Sequence, residues 1–148
     1  MKKTYALAVL LVVAALGSGC ASVPQGSKEQ DAKLKTFAAP PADKAGLYIY
    51  SNEWMGMSEK HEIELDGISI GSTIYKSYMY KELAPGKHLL KSNGENSSTL
   101  EVDLKPGTLT YVWNDISIGF LWGRVELILV DEKTGQKGVL EGGTLVTK

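Results

Sequence analysis

The sequence predicts an all-β chain folded as a β-sandwich of seven or eight short strands, and three observations carry that expectation. From Gly46 onward apolar and polar residues alternate with period two, the pattern of a pleated strand with one buried face. The alternation is broken at intervals of roughly 8 to 12 residues by turn dipeptides: Asp66-Gly67, Pro85-Gly86, Asn93-Gly94, Pro106-Gly107 and Thr134-Gly135. No apolar residues recur at helical spacing after Phe37.

In the first predicted strand Leu47 and Ile49 alternate with Tyr48 and Tyr50. A loop from Asn52 to Glu59 follows, carrying Trp54, Met55 and Met57. His61 to Leu65 alternates again, with Ile63 and Leu65 inward. Asp66-Gly67 then suits a two-residue type I′ turn, because both central positions of that turn need positive φ. Ile68 and Ile70 lie on the returning strand. Ser77 to Leu83 is a strand with Tyr78 and Tyr80 on one face, and Lys87 to Ser92 follows the Pro85-Gly86 turn. Leu100, Val102 and Leu104 mark a half-buried strand. Leu109, Tyr111 and Trp113 share one face of the next, which makes Trp113 a core residue. Asn114 to Gly123 reads as an apolar loop or irregular strand, Arg124 to Val130 as a central strand, and Thr144 to Val146 as a weak last one.

Before this region the chain has three parts. Residues 1–19 begin with Lys2 and Lys3, continue as an apolar run from Tyr5 to Leu16 and end in the small residues Gly17-Ser18-Gly19, the anatomy of a secretory signal. The run is too short to cross a bilayer core of ~30 Å as a helix. Cys20, the single cysteine, follows directly. This arrangement resembles the lipobox of bacterial lipoproteins, with Gly17 where Leu is usual and Leu16 one place back. The resemblance implies cleavage before Cys20, acylation of its thiol and amine with fatty chains such as palmitate, and attachment to a membrane. The alternative is an ordinary cleaved signal and a free thiol, for which the chain offers no disulfide partner. One acyl chain anchors only marginally, so stable attachment takes at least two. By resemblance to enterobacterial-type sorting, Ala21 directs the lipoprotein to the outer membrane, facing the periplasm. Within residues 20–45, Ala21 to Gly26 reads as a tether. Ser27 and Gln30 fit a capping box for a short helix ending before Pro40-Pro41, with Leu34 and Phe37 able to dock; the alternative is an unstructured extension. Residues 46–148 form the sandwich domain.

Removing residues 1–19 leaves 129 residues with 14 basic against 17 acidic side chains, enough for one domain with a net charge of about −3. That balance excludes a nucleic-acid binder, which shows a basic stripe, and gives no polybasic surface for anionic lipid. Without disulfides the domain holds by core burial alone.

Chemistry-bearing motifs are sparse. Gly67-Ile68-Ser69-Ile70-Gly71 matches the spacing of a hydrolase nucleophile elbow, but that device needs a helix after the serine, and here Ile68 and Ile70 alternate as a strand. Ile-Ser-Ile-Gly recurs at Ile116 to Gly119, as common strand vocabulary. His61, beside Glu62 and Glu64, and His88 each lie near a strand start, and they read as part of a solvated strand face and not as metal ligands. No Walker loop, Cys–His zinc spacing, Ser-x-x-Lys or calcium loop is present, so neither cofactor nor metal is expected. Trp54, Phe120 and Trp122 lie in predicted loops. Exposed together they form a platform for a sugar ring or a partner protein; in the plainer reading they cap the ends of the sandwich.

Gly46-Leu47-Tyr48-Ile49-Tyr50, Asp66-Gly67 with Gly71, Ala84-Pro85-Gly86-Lys87-His88 and Trp113 resemble a small family of bacterial lipoproteins catalogued as domain of unknown function 2846. The middle portion is also similar to β-sandwich modules of the PEGA type, which implies a small immunoglobulin-like or PEGA-like sandwich. These motifs are turn and strand punctuation, and the resemblance implies fold and envelope location without catalytic residues. The expected function is a non-catalytic, lipid-anchored envelope protein that binds another envelope protein or serves structurally. The alternatives are a glycan- or peptidoglycan-binding lipoprotein using loop aromatics and a small hydrolase using Ser69 with His61 or His88.

Overall fold

The computed structural model describes residues 23–53 and 59–148; the signal, Cys20, Trp54, Met55 and Met57 lie outside the described residues. In chain order these are α1 (Lys28–Leu34), β1 (Ala45–Ser51), β2 (His61–Leu65), β3 (Ile68–Thr73), β4 (Ser77–Leu83), β5 (Gly86–Asn93), β6 (Ser97–Leu104), β7 (Leu109–Ile118), β8 (Gly123–Val130), α2 (Glu132–Gly142) and β9 (Thr144–Leu145). Among the described residues nine strands, one or two more than expected, form a five-stranded sheet ordered β8-β7-β1-β4-β9 and a four-stranded sheet ordered β3-β2-β5-β6. Neighbours run antiparallel except β1 with β7 and β4 with β9.

β1 lies mid-sheet and is buried along its whole length. Its period-two alternation therefore feeds two cores. Leu47 and Ile49 face the other sheet and pack with Ile63, Leu65, Leu90, Val102, Val112 and Leu127. Tyr48 and Tyr50 face the opposite way, with Tyr78, Tyr111, Val139 and Leu145. Each buried Leu or Ile contributes roughly 1.5–3 kcal/mol, so the sandwich interior dominates stability and the tyrosine layer adds a second, helix-covered core.

That helical cover corrects the sequence reading. Thr134-Gly135 is not a turn but lies inside α2, which is capped by Asp131, whose carboxylate accepts from the Thr134 N–H at 3.0 Å. The buried positions Gly135, Gly138, Val139 and Gly142 stand at i, i+3, i+4 and i+7, so the helical period is written in glycine and escapes a search for apolar side chains. The glycines are required by packing: a Cβ on Gly135 would overlap the Tyr111 ring and one on Gly138 the Tyr50 ring. α1 has seven residues, too few to persist alone. It is held by the Ser27 cap and by two tyrosine hydroxyls, Tyr48 donating to the Leu34 carbonyl and Tyr78 to the Asp31 carboxylate, both at 2.7 Å. Phe37 docks edge-on against Tyr48, its ring centre 5.7 Å away.

Three further placements differ from expectation. Val23 is buried in the main core, and Gln25 bridges Val146, so the segment read as a tether joins the β9 edge from Val23 onward. β7 runs on to Ile118, well beyond Trp113. β8 is an edge strand, and its burial alternates through Val125 and Leu127. Side chains of the other sheet satisfy its outer backbone. Asn96 bonds both the carbonyl and the N–H of Val125, at 2.9 and 2.8 Å, and Ser98 accepts from Leu127 N–H at 3.0 Å. The Asp66-Gly67 hairpin is as read, with φ of 52° and 80°.

Candidate functional site

β7 and β8 are paired from Tyr111–Val130 up to Ile118–Gly123, so their hairpin extends past the end of β1. At its tip stand Phe120, Leu121 and Trp122, which are 90%, 72% and 62% exposed, beside Ile118 at 73%. Phe120 and Trp122 therefore do not cap the core. Ordinary surfaces scatter such residues singly, whereas these four fall within five consecutive positions and expose on the order of 500 Å² between them, the size at which an apolar patch on a monomer tends to be functional. Trp113, in contrast, packs on the tyrosine layer as expected.

The tip is built, not merely left over. Glu95, in the β5–β6 turn, accepts from the backbone N–H groups of Phe120, Leu121 (3.1 Å) and Trp122 (3.4 Å) through one carboxylate oxygen. The next N–H, that of Gly123, donates to Glu59 at 2.7 Å. A run of consecutive N–H groups converging on an anion is a nest, here filled by the chain's own carboxylates. The Leu121 N–H foremost, with those of Trp122 and Phe120 and the charge of Arg124, holds the Glu95 carboxyl below its usual value. Gly119 and Gly123 flank the apolar triplet because a Cβ at either would collide with these carboxylates. The turn is also fixed by a backbone bond from Glu95 N–H to the Gly123 carbonyl at 2.9 Å.

At the base of the tip an open cleft of about 360 Å³ is lined by Glu59, Lys60, His61, Asn93, Gly94 and Trp122. His61 does not lie on a solvated face as expected: it shares the inward face of β2 with Ile63 and Leu65 and is almost fully buried, with Nδ1 3.4 Å from the Asn93 carbonyl and Nε2 3.6 Å from Glu59 Oε2. His88 is elsewhere, on β5, with Nδ1 2.7 Å from Asp66 and Nε2 2.9 Å from the Ala84 carbonyl. Ser69 lies within β3, paired with Glu64, and its carbonyl accepts from Lys148, so it does not sit on the strand-to-helix turn of a nucleophile elbow. Both His88 nitrogens are engaged away from it. Among the described residues no cluster of three His, Cys, Asp or Glu is placed to hold a metal, and no helix is long and apolar enough to cross a membrane.

The sequence reading singled out Phe120 and Trp122, which the structure brings together, and Trp54, which lies outside the described residues. It passed over Ile118, Leu121, Glu59 and Glu95. The available signal was the Gly119/Gly123 bracket around three large apolar residues, since nothing local links that bracket to a glutamate 25 residues upstream.

No solved structure matches the chain. An uncharacterized protein of Haemophilus influenzae is 29% identical over 140 residues, spanning 94% of this chain and 83% of that protein. A family model described as "Protein of unknown function (DUF2846)" matches residues 41–144, which is β1 through the start of β9 together with the whole of the tip. By that match the chain belongs to the DUF2846 family.

Proposed function

We propose that this chain is a non-catalytic binding module of the cell envelope, anchored by acylated Cys20 to the outer membrane on its periplasmic side, and that it acts by engaging another envelope protein. The observation that carries the reading is the braced apolar tip. Three large side chains on a turn braced by carboxylates, with Ile118 exposed beside them, cost solvation in the free molecule and serve contact with a partner. In-cell crosslinking of the full chain, with Cys20→Ala as the untethered control and mass-spectrometric readout, tests it. One protein enriched only with the tethered form is expected; the same scattered neighbours with both forms would refute the reading.

A second reading, glycan binding, is favoured by the cleft, where the Trp122 ring adjoins Glu59, Lys60 and Asn93, the aromatic-plus-polar lining a sugar ring takes. Soluble peptidoglycan fragments would then quench tryptophan fluorescence in the parent and not in Trp122→Phe.

A further inference from the structure

The tip's own chemistry narrows what it meets. The four N–H groups along 120–123 are already used by Glu95 and Glu59. The apex therefore offers apolar surface without free backbone donors, which suits an apolar socket better than a sugar. Two copies meeting tip to tip would bury on the order of 500 Å² each, short of the ~800 Å² per partner of a stable protein pair. The surroundings are acidic. Asp115 and Glu126 face each other across the hairpin stem and Glu59 and Glu95 brace the tip, against Arg124 and Lys60. An anionic lipid surface is repelled by that excess, and a basic surface is attracted.

Position adds a third constraint. Leu145, Tyr78, Tyr50 and Trp113 lie in one row across the sheet. From that row the stem climbs five residues to Ile118, while the chain enters about three residues on the other side, at Val23. At ~3.3 Å per residue and ~4.8 Å per strand the tip stands roughly 30 Å from the entry point. Cys20 to Val23 spans at most ~10 Å. A chain lipidated at Cys20 is thus held to the membrane by one end of the domain and carries its apolar knob at the other.

We infer that the β7–β8 tip docks into an apolar socket, rimmed by Lys and Arg, on a second protein met away from the anchoring membrane. The inference rests on the protein-binding reading above and commits it to a site and a partner chemistry. The test is the full lipidated chain in cells with photoreactive benzoylphenylalanine at Leu121, and at exposed Ile68 on β3 as the control. One protein adduct is expected at 121 and absent at 68. Phe120→Ser should lower its yield about tenfold, as should Asp115→Lys with Glu126→Lys. The neutral pair Asp115→Asn with Glu126→Gln, which leaves the fold intact if the lysines do not, should give an intermediate loss. Adducts only with lipid, only with a second copy, or none at 121 while a general crosslinker still traps a tether-dependent protein would overturn the docking site and leave the binding reading standing. An adduct indifferent to the charge changes would overturn the basic rim.

Discussion

Gly138 shows how one missing methyl sets a packing distance. Its Cα rests on the Tyr50 ring, leaving no room for a Cβ. Gly→Ala in an exposed helix gains up to about 1 kcal/mol, but overpacking costs about 1–3 kcal/mol. Gly138→Ala should therefore destabilise by about 1–2 kcal/mol in urea unfolding, and a net gain would show that α2 shifts freely over the tyrosines. His88 carries a second residue-scale prediction. Its two nitrogens face the Asp66 carboxylate and the Ala84 carbonyl, neither of which donates, so both must donate and the ring is held as imidazolium. The Asp66 hydrogen bond foremost, then Ala84, raises the His88 pKa above 6.5, and the His88 bond foremost lowers that of Asp66 below 3.8. The His88 contribution is complete below 6.5 and is lost as pH rises through its raised folded value. The Asp66 contribution is complete above 3.8 and is lost as pH falls through its lowered folded value. The pair thus supports the fold most between those limits. From about pH 6 to about pH 9 the denaturation midpoint of the parent should fall further than that of His88→Gln. Parallel curves would mean that the pair contributes nothing.

At the scale of elements, α2 depends on its start. Asp131 supplies both the cap to Thr134 N–H and a bond to the Thr134 hydroxyl, at 3.0 and 2.6 Å. Three glycines make the helix intrinsically weak, so the cap matters more than usual. Asp131→Ala should cost about 1 kcal/mol, with hydrogen exchange rising first along α2. Uniform exchange across the domain would mean instead that α2 and the sandwich unfold only together. The tip obeys the same logic with the anion outside the element. Glu95→Ala should leave the Phe120, Leu121 and Trp122 amides fast-exchanging while the Gly123 amide, bonded to Glu59, and the β7–β8 ladder below stay protected. If those amides remain slow, the nest is held without Glu95.

For the whole molecule, the decisive joint is where the two sheets meet at β6 and β8. Asn96 and Ser98 replace a backbone ladder with side-chain bonds, shielding an edge that would otherwise invite strand addition. Asn96→Ala removes two such bonds and leaves both Val125 backbone groups unpaired. It should destabilise by about 2 kcal/mol and raise aggregation on mild heating. A variant as stable and monomeric as the parent would show that water serves the edge equally well. At the other side of the sandwich, Gly26 N–H to the Leu145 carbonyl at 3.0 Å and Thr147 N–H to the Pro24 carbonyl at 2.8 Å tie the chain's entry to its end. This joint fixes the direction in which a lipid anchor would pull.

Local chemistry was enough to write the strands. His61–Leu65 and Ser77–Leu83 are as the alternation placed them, and the Asp66-Gly67 turn follows from φ preferences at two residues. The motifs in β1, at Ala84 to His88 and at Trp113 likewise sufficed for the family. Long-range contacts decided the rest. Whether Tyr50 and Tyr111 faced water or a third layer depended on a helix 20 or more residues away, whose buried stripe is mostly glycine and so carries little hydrophobic signal. Whether Val125 and Leu127 sat mid-sheet or at an edge depended on strand order, to which a side-chain pattern is blind. Whether Phe120 and Trp122 were core or surface turned on Glu95, because alternation reports which faces a strand has but not which distant carboxylate will hold a loop open.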